Sequence, residues 1–302
     1  MIDVFAAEVN YPDLLVIEGK YQFKPPLPFS PGKTAAGRIA HIGSHVQGLA
    51  AGVRVVVQVE YGAFAEELCA PAVQCFPIPD GVSFAKAAAL GLTYQTAWFA
   101  LNDRARLERG EVVLVLGASV GIGIASIQLA RALGARMVIA GGRSEADREV
   151  ARAAGADHVV DLGSSNLRDE LKDAVASFTD GHGADVVIDP VGGDVTAAAL
   201  RALAWCGRLV IVGFASGSIP TLKANYLLLK NITVMGLQWS DYRQRTPGRV
   251  REAQREIFAL YQAGQIDPYV SRTVGFDGLR EALQALRRSE VQGKIILEVA
   301  RE

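Results

Sequence analysis

The sequence is poor in cysteine, has no block of one-sign charge and no long apolar stretch, and each absence removes a class of function. Its 3 cysteines, Cys69, Cys75 and Cys206, are odd in number and show no C-x-x-C spacing. That argues against a disulfide framework or a cysteine-rich zinc site and suits a reducing compartment. Lysine and arginine number 31 against 32 acidic residues, and same-sign clusters such as Arg287-Arg288 are too short to track a phosphate backbone, so nucleic acid is not expected as a partner. No window approaches the roughly 20 apolar residues of a membrane span, and the first residues lack the basic-then-apolar layout of a signal peptide. The expectation is a soluble, cytoplasmic protein with no membrane partner. Internal repeats and low-complexity tracts are also missing.

What is present is enough chain for two domains, since 302 residues can bury two cores. From Glu111 to about Leu237, short apolar runs alternate with helical patterns, the texture of a parallel sheet wrapped by helices. Six strands are predicted: Val112-Leu116, Met137-Ala140, His158-Asp161, Asp185-Asp189, Arg208-Val212 and Ile232-Leu237. Their Val, Ile and Leu content suits strands buried on both faces. Helices are predicted near Gly121-Leu133 and Glu145-Ala154, each followed by a glycine suited to a left-handed cap, Gly134 and Gly155. Before Glu111, Pro25-Pro26-Leu27-Pro28, Pro31-Gly32 and Pro79-Asp80-Gly81 punctuate β-like runs such as Gly37-Ile42 and Val53-Val59, the pattern of an irregular β domain. After Asp241 come helical stretches at Arg251-Ala263 and Leu279-Arg287 and a strand at Lys294-Val299.

The first strand of the alternating region runs into Gly117-Ala118-Ser119-Val120-Gly121-Ile122-Gly123 and then into a helix carrying Ile127, Leu129 and Leu133. Strand, glycine turn and helix in that order form the context of a dinucleotide fingerprint. Glycines allow a tight turn and close helix packing, and the helix N-terminus attracts a pyrophosphate. A glycine cluster alone also serves plain packing; the six alternating strands favour the nucleotide. At the end of the second strand, Ala140-Gly141-Gly142-Arg143-Ser144 has no carboxylate where an NAD site usually places one. Arg143 and Ser144 instead offer a guanidinium and a hydroxyl to a 2′-phosphate, favouring NADPH. Against this, Arg143 suits a solvated position opening the next helix, and Asp147 would repel a phosphate.

Taken with Val9-Asn10-Tyr11-Pro12-Asp13, Gly19-Lys20-Tyr21, Pro28-Phe29-Ser30-Pro31-Gly32, Ala87-Leu92 with Thr93, Gly155-Ala156-Asp157-His158, Asp189-Pro190-Val191-Gly192-Gly193 and Gly293-Lys294, the turn resembles the medium-chain dehydrogenase/reductase superfamily. The likeness covers nearly the whole chain and is to the zinc-free quinone oxidoreductase branch, the zeta-crystallin type. It implies an α/β fold in which a Rossmann doubly wound parallel sheet, residues 94–237, is inserted in a GroES-like β-barrel domain, residues 1–93 and 238–302, with the active site in the cleft. It also implies a homodimer through the edge strand near Ile232-Leu237. By the same resemblance, Asn10 and Tyr21 line the nicotinamide and substrate cleft, Thr93 approaches the nicotinamide ring, and Gly213, Phe214 and Ser216 border it. Gly117 to Ile122, with Arg143 and Ser144, hold the nucleotide.

Alcohol-oxidising relatives place a histidine and a carboxylate directly after the glycine matching Gly32, where this chain has Lys33 and Thr34. Neither is a competent zinc ligand near neutral pH. His41 and His45 are four apart across a predicted strand and turn, so they share no helix face. Without a metal or a nucleophile-base pair, the chemistry falls to the cofactor: hydride delivery to a small electrophile, a quinone or an α,β-unsaturated carbonyl. Tyr21, Asn10 or water are candidate donors to the developing oxyanion. Reduction of an enoyl thioester or alkenal is the alternative within enzymes, and a low-turnover NADP(H)-binding protein the alternative outside them.

Two departures from the family pattern carry expectations. The segment matching the family's Val9-Asp13 region begins almost at Met1, so the barrel is expected to lack its opening strands and to show unpaired edges. Val120 stands where a second consecutive glycine is usual; it is expected to keep negative φ, because a β-branched residue strongly disfavours the alternative.

Overall fold

The computed structural model describes residues 1–300. In chain order the strands and α-helices are β1 (Ile2–Val9), α1 (Tyr11–Ile17), β2 (Thr34–Ile39), β3 (Arg54–Gln58), β4 (Glu67–Leu68), β5 (Cys75–Pro77), α2 (Phe84–Ala89) and α3 (Leu92–Trp98), then β6 (Val112–Leu116), α4 (Gly121–Ala132), β7 (Met137–Gly142), α5 (Glu145–Ala153), β8 (His158–Asp161), α6 (Leu167–Phe178), β9 (Ala184–Asp189), α7 (Gly193–Ala202) and β10 (Leu203–Ile211). They end with α8 (Ala224–Lys230), β11 (Thr233–Gly236), α9 (Tyr242–Arg245), α10 (Pro247–Gln262), β12 (Val270–Val274), α11 (Phe276–Arg287) and β13 (Lys294–Glu298). They form two compact units. One comprises Met1–Gln95, Ser240–Ala259 and Pro268–Glu302, and the other Thr96–Trp239 and Leu260–Asp267.

In the first unit the sheet runs β12-β13-β1-β2-β3-β5, with β4 beside the start of β1. Strand β1 is antiparallel to β2 from Ile2↔Ile39 to Glu8↔Thr34 and to β13 from Ala6↔Glu298 to Val9↔Ile295. The path ends at β12 and β5, while β1 is paired on both sides. Its core gathers Ile2, Val4, Ala7, Val9, Val55, Val57, Ile295 and Leu297, contributed by alternating residues of these strands. The pairing of β1 with β2 shifts register between Val4 and Ala6, and at this bulge the backbones come close. A Cβ on Gly37 would lie 2.0 Å from the Asp3 carbonyl oxygen. Glycine is required there by space.

The second unit's sheet runs β11-β10-β9-β6-β7-β8 with every neighbouring pair parallel. Counted from β6, the strands progress outward through β7 and β8 on one side and through β9, β10 and β11 on the other. This is the doubly wound order, with its switch point between β6 and β9. All five residues of β6 are buried, as helices on both faces demand. Among the predicted strands, β6 and β8 have the expected bounds, whereas β10 begins at Leu203, well before Arg208. That lead-in is irregular: register shifts between Leu203 and Arg208, Cys206 has φ 62° and Trp205 is exposed. An apolar-run criterion misses such a segment because Gly207 and Arg208 interrupt the run.

The Gly37 contact makes a direct test. Gly37→Ala forces backbone movement at the β1–β2 bulge and should destabilise the protein by about 1–3 kcal/mol, the usual range for overpacking, measurable as a lowered urea midpoint with an unchanged slope.

Candidate functional site

In the doubly wound unit, β6 leaves the sheet at Gly117, whose φ is 65° and whose Cβ would lie 2.9 Å from Val191 Cγ2. The turn is pinned by the Ala118 N–H donating to the Gly141 carbonyl at 2.9 Å. Val120 then caps α4 with φ −100° and ψ 167°, ordinary extended backbone, and its side chain is half-buried. No side chain caps this helix among the described residues, so the first-turn N–H groups at Gly121 and Ile122 have no intrahelical acceptor and face outward for a ligand. Close approach rests on Gly123, whose Cβ would stand 2.3 Å from the Gly117 carbonyl oxygen and 2.6 Å from Ala118 Cα. The space at Gly123 is already taken by the turn's own backbone, so glycine is what lets α4 pack against the turn and keep the shape of this cradle.

Other loops leave the same sheet edge. After β7, Arg143 and Ser144 are exposed. Their backbone N–H groups donate to Asp147 Oδ2 at 3.2 and 3.1 Å, and the Ser144 hydroxyl accepts from the Asp147 N–H at 3.1 Å, a reciprocal cap on α5. Burial raises the Asp147 pKa, but hydrogen bonds from Ser119, Ser144 and Arg143 outweigh it and hold the carboxyl below its ordinary value. Asp147 is thus a carboxylate beside the two residues predicted to meet a 2′-phosphate. After β10, the Ala215 and Ser216 N–H groups donate to the carbonyls of Pro190 and Val191, at 3.0 and 2.9 Å. This fixes Gly213, Phe214 and Ser216 over the loop that follows β9. Phe214 is 40% exposed, an apolar face offered to a ligand.

The first unit holds a buried polar cluster around Asn10 and Thr93. Register explains its assembly: with Glu8 opposite Ile296, Lys294 is a diagonal neighbour of Glu8 on the same face of the β1–β13 pair. Lys294 Nζ lies 2.7 Å from Glu8 Oε1, 2.6 Å from Asn10 Oδ1 and 2.9 Å from Thr93 Oγ1. The Thr93 hydroxyl donates to Glu8 Oε1 at 2.7 Å, and Asn10 Nδ2 donates to Glu8 Oε2 at 3.0 Å and to the Glu8 carbonyl at 3.3 Å. Both amide protons of Asn10 are engaged within the cluster, so the prediction of Asn10 as an oxyanion donor loses its basis. Glu8 and Lys294 were not predicted as site residues. The available signal was a single charge inside each of two otherwise apolar runs, Phe5-Ala6-Ala7-Glu8-Val9 and Lys294-Ile295-Ile296-Leu297.

Beneath this cluster lies Asp13, fully buried, accepting the Asn10 N–H at its Oδ2 at 2.7 Å. Burial pushes its pKa up to about 7; the Asn10 hydrogen bond and the Lys33 and Lys294 charges oppose the rise, and Glu8 adds to it. Lys33 is buried at 3% exposure, donates to Glu60 Oε2 at 2.6 Å, and sits 4.2 Å over the Tyr21 ring. Arg243 pairs with the other oxygen of the same carboxylate. The Tyr21 hydroxyl is 3.3 Å from Ser240 Oγ, with either atom able to donate. Zinc as the alcohol-oxidising relatives hold it does not fit these residues. An ion-paired ammonium stands at the expected ligand position, the next residue is the buried Thr34, and no group of three or more His, Cys, Asp or Glu suits a metal among the described residues. His41 and His45 are exposed.

A doubly wound sheet with a glycine cradle at its carboxyl edge, in a chain whose other unit is a β-sheet domain with a buried polar cluster, defines a nucleotide-dependent oxidoreductase class. The alcohol dehydrogenase GroES-like domain family matches residues 1–80, and the zinc-binding dehydrogenase family matches residues 121–259. Quinone oxidoreductase-like protein 2 homolog of Nematostella vectensis is 37% identical over 98% of this chain and 80% of its own length. A probable oxidoreductase from Mycobacterium abscessus is 34% identical, with TM-score 0.87 over 98% of this chain and 88% of that one. Escherichia coli quinone oxidoreductase, solved as a complex with NADPH, is 28% identical with TM-score 0.89, over 98% and 90% of the two chains. The chain belongs to the zinc-free quinone oxidoreductase branch of the medium-chain dehydrogenase/reductase superfamily.

Asp13 gives this cluster a pH signature. Its folded-state pKa of about 7 exceeds the ordinary 3.8, so the folded protein holds a proton that the unfolded chain releases, and stability falls as pH rises from about 4 to about 7. Asp13→Asn keeps an acceptor for the Asn10 N–H and removes that slope. Denaturation midpoints should coincide at pH 4 and diverge in the variant's favour up to pH 7, by an amount on the order of a few kcal/mol.

Proposed function

We propose that the protein reduces a quinone or an α,β-unsaturated carbonyl by hydride transfer from NADPH, without zinc, as a homodimer. Two observations carry the reading: a tight glycine turn that opens α4 with no side-chain cap, and a fixed ammonium, Lys33, in place of a zinc ligand. Bound NADPH supplies the hydride. The main-chain N–H groups from Ser119 to Ile122 would hold its pyrophosphate, with Gly117 and Ala118 shaping the turn through the Ala118 N–H bond to the Gly141 carbonyl; Arg143 and Ser144 would hold the 2′-phosphate; Gly213, Phe214 and Ser216 would border the nicotinamide ring. Hydride addition to a conjugated carbonyl places charge on oxygen, which needs one hydrogen-bond donor and one proton. Among Asn10, Tyr21 and Thr93, the first and last have their protons committed to Glu8, which leaves the Tyr21 phenol as donor. Strand β11, at the end of its sheet, offers its free edge to a second copy.

Separate assays of NADPH and NADH oxidation across quinones, enones, alkenals and enoyl thioesters test the reaction. Turnover is expected with quinones or simple enones; turnover confined to thioesters would reassign the substrate, and none with any acceptor would favour a nucleotide-binding role. Elemental analysis should find no stoichiometric zinc, and activity should survive chelator. Arg143→Ala should weaken NADPH by roughly 1.5–3 kcal/mol, the worth of a charge-assisted hydrogen bond, and leave NADH almost unchanged. Equal losses would place Arg143 outside the phosphate contact.

A further inference from the structure

The donors and acceptors of the buried quartet can be counted atom by atom. Lys294 has three protons, matched by Glu8 Oε1, Asn10 Oδ1 and Thr93 Oγ1. Asn10 has two amide protons, both on Glu8, and the single Thr93 proton is shared between Glu8 Oε1 at 2.7 Å and Asn10 Oδ1 at 3.3 Å. The Asn10 amide has one orientation available, because Lys294 only donates and the Glu8 carboxylate only accepts. Every proton of the quartet is therefore used internally. What is left over is one lone pair on Thr93 Oγ1, because Asn10 Oδ1 already meets both Lys294 Nζ and the Thr93 hydroxyl. These residues are not sealed, with exposures of 4% for Asn10, 6% for Thr93 and 7% for Lys294, whereas Glu8 is at 0%.

We infer that Lys294, together with Glu8 and Asn10, is a positioning residue that holds Thr93 Oγ1 as a fixed hydrogen-bond acceptor, so that this cluster recognises an N–H or O–H donor on a bound small molecule and not a carbonyl oxygen. Without the ammonium, the Thr93 hydroxyl and the Asn10 amide are free to turn and donate. With it, Asn10 is spent inside the cluster, and Thr93 keeps a lone pair but no proton to offer. The inference rests on the proposed role of Asn10 and Thr93 in the reaction, but it fixes the polarity of the group the cluster meets. Two donors of the required chemistry are available to a reductase of this kind: the carboxamide N–H2 of a nicotinamide and the hydroxyl of a hydroquinone product.

Two matched ligand pairs distinguish them, both read as binding. One is NADPH against its reduced 3-acetylpyridine analogue, which replaces the amide N–H2 by methyl, titrated by nucleotide fluorescence. The other is a hydroquinone against its dimethyl ether, read as the melting-temperature shift of NADP+-loaded protein. The wild-type protein should prefer the donor-bearing member of at least one pair by about fivefold, the worth of one ordinary hydrogen bond. Lys294→Met and Thr93→Val should abolish that preference, and Lys294→Arg, which keeps charge and donors, should retain part of it. If Lys294→Met does not fold, Thr93→Val decides, since it leaves Lys294 paired with Glu8 and Asn10. No preference in the wild type for either pair, or a preference unchanged in both variants, overturns the inference. A wild-type protein that fails to oxidise NADPH whichever acceptor is supplied refutes the proposed reaction, and the binding comparison still decides the polarity of this cluster.

Discussion

The ammonium of Lys294, buried where β13 lies beside β1, constrains the polar chemistry of the β-sheet unit. A charge out of water is tolerated only if its partners match it proton for proton, and removing one partner leaves an uncompensated charge. Glu8, Asn10 and Thr93 supply that match. Their side chains are consequently held in one arrangement, the condition for a group that must meet a reacting molecule without reorganising. Asn10 illustrates the effect. It opens α1, where an asparagine side chain ordinarily caps the helix, yet its amide turns to Glu8 and Lys294 while Asp13 takes the cap's reciprocal contact with the Asn10 N–H.

The same unit carries a second ionic group in which the Glu60 carboxylate is bridged by Lys33 and Arg243. Its consequence is electrostatic: a cation stays fixed over the Tyr21 ring face, where the ring's quadrupole attracts it. The doubly wound unit uses no such charge at its glycine turn. An anion at that turn would meet main-chain N–H groups and the helix dipole. Asp147, a fixed anion beside the predicted phosphate contacts, serves the cap of α5, so it would oppose a 2′-phosphate held by Arg143.

The doubly wound sheet was legible because its strands are short, apolar and regularly spaced, and Gly117 and Gly123 mark a turn whose geometry leaves little choice of residue. Val120 was also readable, because a β-branched side chain restricts φ strongly enough to forecast extended backbone, and it has it. The resemblance to the oxidoreductase family pointed to Asn10, Tyr21 and Thr93. Lys294 and Glu8 escaped because each, read alone, is one charge in an apolar run, a pattern shared by many edge strands. Their relation depends on the register of β1 against β13, which brings Asn10 and Lys294 together across 284 positions of sequence. Hydrogen-bond polarity is likewise absent from sequence: Asn10 reads equally as donor or acceptor until its partners are known.

The central claim is conjugate hydride transfer without a metal. Reducing a cyclic enone with NADPH deuterated at the transferring position of the nicotinamide, in ordinary water, and locating the label by NMR tests it directly. The account predicts one deuterium on the carbon β to the carbonyl and a solvent proton on the α carbon. Deuterium on the carbonyl carbon of an allylic alcohol, or a reduced product with no label at all, would contradict it.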